Sequence, residues 1–263
     1  RRVYDGADMV AEAAARAGGP GVVVRTVAGL ESGGRRGAGG VIAVSDGVAR
    51  RARDLGARDV VVVPNGVRVP DAVATGTPEG FPTCDGPVFV YAGTVAQWLA
   101  PEVFVDAFER ARARLGDARL VFVGQGSGWE ALAERSRGVA GVDMIPAVSA
   151  EEADRWMARA TATLASLRPG GYDYAYPTKI LASLAQGTPV IYAGPGQAAR
   201  DIAEGELGVA CNLDVDEVAE AMVGLALGTG AWVGAGGARA WVSAHRSVEA
   251  SSRAAAAVVR SAL

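Results

Sequence analysis

Tyr172–Gly194 reads YDYAYPTKILASLAQGTPVIYAG, and its reading decides the fold. A loop gives way to a helix opening at Pro177, Gly187 turns the chain, and Pro189–Ala193 is an apolar run suited to a strand buried on both faces. Pro fits a first helical position because the N–H it lacks would be unpaired there. Thr178 and Lys179 then fall in the first turn, where free backbone donors and the helix dipole attract anions. Basic residues normally favour the other end of a helix, so Lys179 runs against the local preference, and an anionic ligand would remove the conflict. Of 26 basic residues, 25 are Arg and Lys179 alone is Lys. A chain that otherwise uses Arg places a compact point cation at one helix start. The plain alternative is a lysine pointing to solvent.

Working outward from this stretch, strands and helices alternate. Apolar runs at Val88–Tyr91, Leu120–Val123, Val142–Ile145, Thr161–Leu164 and Gly208–Cys211 predict strands. Helices are predicted at Glu102–Leu115, through Arg137, at Ala150–Ala160, Gln197–Glu204 and Val215–Leu227. Such alternation specifies an α/β, doubly wound, Rossmann-like parallel sheet with ligands at the carboxyl ends of its strands.

Before it, Arg2–Asp5 reads as a short strand, Asp8–Ala17 as a helix, and Val22–Leu30 as a helical core. Val41–Val44 is a strand, Ser45 an N-cap for a helix reaching about Leu55, and Asp59–Val63 a further apolar strand. Arg50, Arg51 and Arg53 read as a solvated helix face. Residues 71–86, rich in Pro, Gly and Thr, are expected to link residues 1–70 to a domain over 87–228. The tail, 229–263, is expected to form a helix returning toward the N-terminal part. Its apolar stripe runs through Trp241, His245 and Val248, which makes the chain's only His a packed, hydrogen-bonded residue, with a catalytic or ligand role as the alternative.

Composition narrows the function classes. Half the residues are hydrophobic, 21% are charged and the net charge is −3, which suits a protein with a sizeable core and gives no electrostatic case for nucleic acid. Cys84 and Cys211 show no metal or redox spacing, as for free thiols in a reducing compartment. No signal pattern or bilayer-length apolar run is present. A cytoplasmic protein is expected, with peripheral contact at the inner face of the plasma membrane left open.

Three strand-to-turn junctions could meet phosphate. They are Gly93–Thr94, the glycines of VFVGQGSGWEAL (Gly124, Gly126, Gly128), and the helix start at Lys179. With Asp143 some twenty residues on, the second nearly matches a dinucleotide fingerprint, but its last Gly is one position early.

VIAVSDGVARRA and VVVVPNGV, followed by VFVYAGTV, LVFVGQG and YPTKILASLAQGTPVI, together resemble GT-B glycosyltransferases. The pattern is similar to the family 4 group of retaining enzymes, in the bacterial polysaccharide branch carrying a P-[ST]-K motif. The resemblance implies a donor-binding C-terminal domain plus a remnant of the N-terminal, acceptor-side domain, and so a fragment of a longer enzyme. It implies a nucleotide-sugar donor and a hydroxyl acceptor, lipid-linked or an oligosaccharide. Gly93 and Thr94 would lie against the sugar-diphosphate. Gly124 and Gly126 would line the nucleoside side, with Pro146, in Ile145–Ala147, near the base. Pro177, Thr178 and Lys179 would meet the diphosphate or ribose, Tyr174 is a further expected donor contact, and Asp173 and Lys179 are the expected catalytic contacts. No metal or other cofactor is expected, since the protein supplies the positive charge.

Three positions depart from the family pattern. Tyr174 and Ala182 stand where a pair of Glu is common, TVAQWLAP lacks a basic pair, and Ala7 replaces a frequent His. These departures keep a non-catalytic nucleotide-sugar-binding module open as an alternative. A nucleotide-sugar epimerase or an NAD-binding oxidoreductase is a further alternative.

Overall fold

The computed structural model describes residues 2–6, 11, 15, 20–170 and 173–262. The helix expected at Asp8–Ala17 falls largely outside these residues, as do Ala7 and Tyr172. In chain order the elements begin with β1 (Val3–Gly6), α1 (Gly21–Arg36), β2 (Gly40–Ala43), α2 (Asp46–Asp54) and β3 (Val60–Val62). There follow β4 (Val88–Thr94), α3 (Glu102–Leu115), β5 (Arg119–Gln125), α4 (Trp129–Ser136), β6 (Val142–Pro146) and α5 (Ala150–Arg159). The rest are β7 (Ala162–Ser166), α6 (Thr178–Ala185), β8 (Val190–Ala193), α7 (Gln197–Glu204), β9 (Gly208–Cys211), α8 (Val215–Ala226), α9 (Gly234–His245) and α10 (Val248–Ala262).

These elements form two compact units, Arg1–Gly66 with Arg246–Leu263, and Val67–His245. In the first, β1, β2 and β3 make a parallel sheet in that order. Ser45 caps α2 by accepting from the Val48 N–H at 3.2 Å, so the chain can leave β2 and turn at once into a helix. Arg50, Arg51 and Arg53 are exposed, while Val48, Ala49 and Ala52 are buried. Helix α10 packs Val258 against Ile42 and Val63.

The second unit is built on a six-stranded sheet in the order β6-β5-β4-β7-β8-β9, parallel throughout. Strand order reverses between β4 and β7, and there the loops leaving the two carboxyl ends diverge to open a crevice. Strand period decides the layers. Phe89 and Tyr91 of β4 enter a cluster with Phe104 and Phe108 of α3 and Met222 of α8. Val88, Val90 and Ala92 point the other way, toward Trp156 and Met157 of α5. Helices α6, α7 and α9 cover β8 with Ile180, Leu184, Ile202 and Val242. Fully burying each of the larger of these side chains contributes about 1.5–3 kcal/mol. The sheet therefore holds the β4 tip and the α6 start on a rigid base.

Several expectations need correction. Residues 71–86 are not a free linker. Phe81 packs on Trp156 with ring centroids 5.2 Å apart, and the Ala74 N–H donates to the Gln186 side chain at 2.8 Å. Pro177 is the N-cap of α6, at φ −64° and ψ 110°, so Thr178 is the first helical residue. The tail is two helices, parted at Arg246–Ser247, both buried. His245 is consequently exposed at the end of α9; its Nδ1 meets the Trp241 carbonyl at 2.9 Å, and Ala238 and Val242 form the buried face instead. Both thiols are free, and burial, then Glu217 and Asp214, push Cys211 up to about 12. Among the described residues no helix is long and apolar enough to cross a membrane.

Candidate functional site

A cavity of about 480 Å³ opens at the carboxyl end of β4. Ala92, Gly93 and Thr94 form its floor, and Pro177, Thr178, Lys179 and Ala182 of the α6 start form one side. Val67, Trp98, Leu99 and Tyr176 supply apolar walls. Gly93 holds φ +127°, a conformation glycine adopts without strain, and this turns the chain beneath Lys179.

Lys179 sets the electrostatics of the cavity. Its Nζ stands 3.4 Å from the centroid of the Tyr91 ring and donates to the Thr94 carbonyl at 3.4 Å. The Tyr91 hydroxyl donates to the same carbonyl at 2.8 Å. Among the described residues no carboxylate lies within salt-bridge distance of Nζ. Desolvation therefore pulls the ammonium well below the ordinary lysine value of 10.5. Burial, and then the charge of Glu102, raise the Tyr91 hydroxyl, which stays neutral. A half-buried cation with only a ring face and a carbonyl around it is costly by itself. An anion beside it, also met by the helix dipole of α6, would supply the missing charge.

A family model described as "Glycosyl transferases group 1" matches residues 86–227, more than half of the chain. The chain belongs to this family. Solved structures share its fold. The apo form of the lipopolysaccharide outer core galactosyltransferase WaaB matches with a TM-score of 0.66 at 20% identity, over 85% of this chain and 62% of that one. HepE of Anabaena, in complex with UDP and glucose, gives a TM-score of 0.74 at 17% identity, over 98% and 71%. The sucrose-phosphate synthase of Thermosynechococcus elongatus gives 0.70 at 16%, over 98% and 67%. These likenesses show a GT-B fold, with a Rossmann-like doubly wound sheet. The chain thus spans about two thirds of the length of these relatives. No curated protein sequence matches it.

The cavity gathers Gly93, Thr94, Pro177, Thr178 and Lys179 from the expected site residues, and leaves the others apart. A Cβ on Gly124 would collide with the Gly93 carbonyl oxygen, and one on Gly126 with that of Val95. Close approach of the two strand tips thus requires these glycines, whatever else they touch. Pro146, exposed, pairs with Gly124 at the end of β6. Asp173 is exposed, and its Oδ1 accepts from the Gly170 N–H at 2.9 Å, so its carboxylate fastens the loop ahead of α6. Tyr174 is half-buried in that loop.

Asp143, the acid of the dinucleotide fingerprint, accepts from Arg119 Nε at 3.1 Å and Nη2 at 2.5 Å. It lies opposite Val121 in the β5–β6 register, three residues short of the Gly124 tip, and so does not reach a ligand there. Tyr91, Trp98 and Tyr176 were not singled out from sequence. An aromatic in the uncharged turn TVAQWLAP was a usable signal for Trp98; Tyr91 read only as core.

Proposed function

We propose that this chain is the donor-binding part of a retaining, family 4-type glycosyltransferase. It moves a sugar from a nucleotide diphosphate sugar to a hydroxyl acceptor, lipid-linked or an oligosaccharide, in polysaccharide or glycolipid synthesis. The observation carrying this reading is Lys179, held over Gly93–Thr94 at the start of α6 with no carboxylate partner among the described residues. The HepE complexes with UDP, with UDP-glucose and with UDP and glucose support a nucleotide-sugar ligand for the shared fold.

The chemistry follows from where charge develops. As the bond between the anomeric carbon and the diphosphate oxygen breaks, the sugar gains positive character and the leaving group gains negative charge. The Lys179 ammonium and the amides opening α6 stabilise the departing diphosphate. That is the task a metal performs elsewhere, so no metal enters this reading. Asp173 shapes the loop beside the site, and no chemical step is assigned to it. The enzyme works on the cytoplasmic side, at the inner face of the membrane when its acceptor is lipid-linked.

One observation favours a second reading. Ala182 lines the cavity and offers ribose hydroxyls nothing to bond, which suits a module that binds nucleotide sugars without turning them over. Incubation with UDP-, GDP- and dTDP-sugars, following free nucleotide release and the anomeric configuration of any product by NMR, separates the readings. Release from one nucleotide class with the donor configuration kept is the expected result. Binding without release selects the module, and no binding at all overturns both.

A further inference from the structure

We infer that Tyr91 is a positioning residue for the anion site: its ring face holds the Lys179 ammonium over the β4 tip, in place for a diphosphate to meet it. This rests on the donor-binding reading above, but the ring–amine contact is a property of the free protein and can be tested without any donor.

The geometry is specific. Tyr91 is fully buried, and its hydroxyl is fixed to the Thr94 carbonyl at 2.8 Å, so the ring cannot swing away. Phe104 and Phe122 pack on the ring with centroids 6.1 Å and 5.6 Å away. Above it, Nζ is 3.4 Å from the centroid, close for a cation over an aromatic face. Gly93 lies beneath the amine: a Cβ there would stand 3.4 Å from Lys179 Cε and 3.5 Å from Nζ, in ordinary contact, and its φ of +127° is what disfavours a side chain. The β4 strand thus carries a ring, a bare backbone and a carbonyl that between them fix one amine.

Glu102 of α3, whose charge raises the Tyr91 hydroxyl, is paired with Arg168 at 2.6 Å, and several ionisable groups around α6 are engaged elsewhere. Arg239 of α9 donates to the Ala185 and Pro70 carbonyls, at and beyond the far end of α6. Asp154 of α5 bonds to Gln186, past the same end. Tyr192 of β8 donates to the Pro195 carbonyl at 2.8 Å, and Asp173 in the preceding loop is held by Gly170. The ring face, together with the Thr94 carbonyl, therefore stabilises the free ammonium against desolvation. Losing that face makes the amine easier to deprotonate, and an anion then binds less well wherever the amine is neutral.

Because Lys179 is the chain's only lysine, growth on 13C-lysine yields a single lysine spin system. In wild type, the ε-methylene protons should show the upfield shift of a group above an aromatic ring. In Tyr91→Leu the amine should lose about tenfold in proton affinity, while Tyr91→Phe keeps the wild-type titration. UDP affinity of Tyr91→Leu should then fall with rising pH by up to about tenfold relative to wild type, and converge with it at low pH. If Tyr91→Leu does not fold, the wild-type ε-methylene shift and the Tyr91→Phe titration still decide. Unshifted ε-methylene protons in wild type, or an unchanged titration in a folded Tyr91→Leu, overturn the inference. Failure of Lys179→Ala to weaken UDP binding overturns the donor reading instead and leaves the ring–amine contact standing.

Discussion

Gly124 faces Gly93 across the parallel register of β5 and β4, and the two backbones approach so closely that no side chain fits at position 124. The floor of the cavity is thus set by a packing constraint between neighbouring strand tips. Gly124→Ala should destabilise the protein by about 1–3 kcal/mol through overpacking against backbone that cannot move aside. Gly29→Ala, in the body of α1 with open space around it, should instead stabilise by about 0.5–1 kcal/mol. Thermal unfolding followed by circular dichroism should move in opposite directions for the two variants.

Lys179 should lower stability in proportion to its use. Its folded-state value lies below the unfolded 10.5, so between the two the unfolded chain binds more protons and stability rises with pH. Below the folded value the full cost of the half-buried ammonium is present. Lys179→Met should therefore raise Tm at neutral or lower pH, with a gain that shrinks as pH climbs toward 10.5. A gain that does not change with pH would point to packing rather than charge.

Asp143 should be irrelevant to nucleotide binding. It is tied to Arg119 well short of the strand tip, and this half-exposed pair contributes under about 1 kcal/mol. Asp143→Asn should leave UDP binding unchanged within error. A fluorescence titration with NADH should show no saturable binding, and saturable binding lost in Asp143→Asn would restore the dehydrogenase alternative.

Much of the fold was legible because its signals are local. Apolar runs such as Val88–Tyr91 and Leu120–Val123, caps such as Ser45, and turns such as Gly187 each fix an element from a few neighbouring residues. The break between α9 and α10 was missed because one continuous stripe fits the small residues on either side of it. Arg246 and Ser247, at the break in the sequence, are buried although polar, which apolar spacing does not reveal. For the site, Lys179 was visible as a lone lysine at a helix start, and Gly93–Thr94 as a small-residue strand end. Tyr91 was not, because its partner lies 88 positions away on another element and only the sheet brings them together. Asp173 is expected at the site as the acid nearest to a position where the family resemblance places Glu, and in the structure its Oδ1 accepts from the Gly170 N–H.

The most direct test of the account is calorimetry with UDP, GDP and dTDP on wild type and on Lys179→Ala. Wild type should bind at least one of these nucleotides. The variant should lose about 10- to 100-fold in affinity, as expected for removing a charge-assisted contact to phosphate. Equal affinity in the two proteins, or no nucleotide binding by wild type, would contradict it.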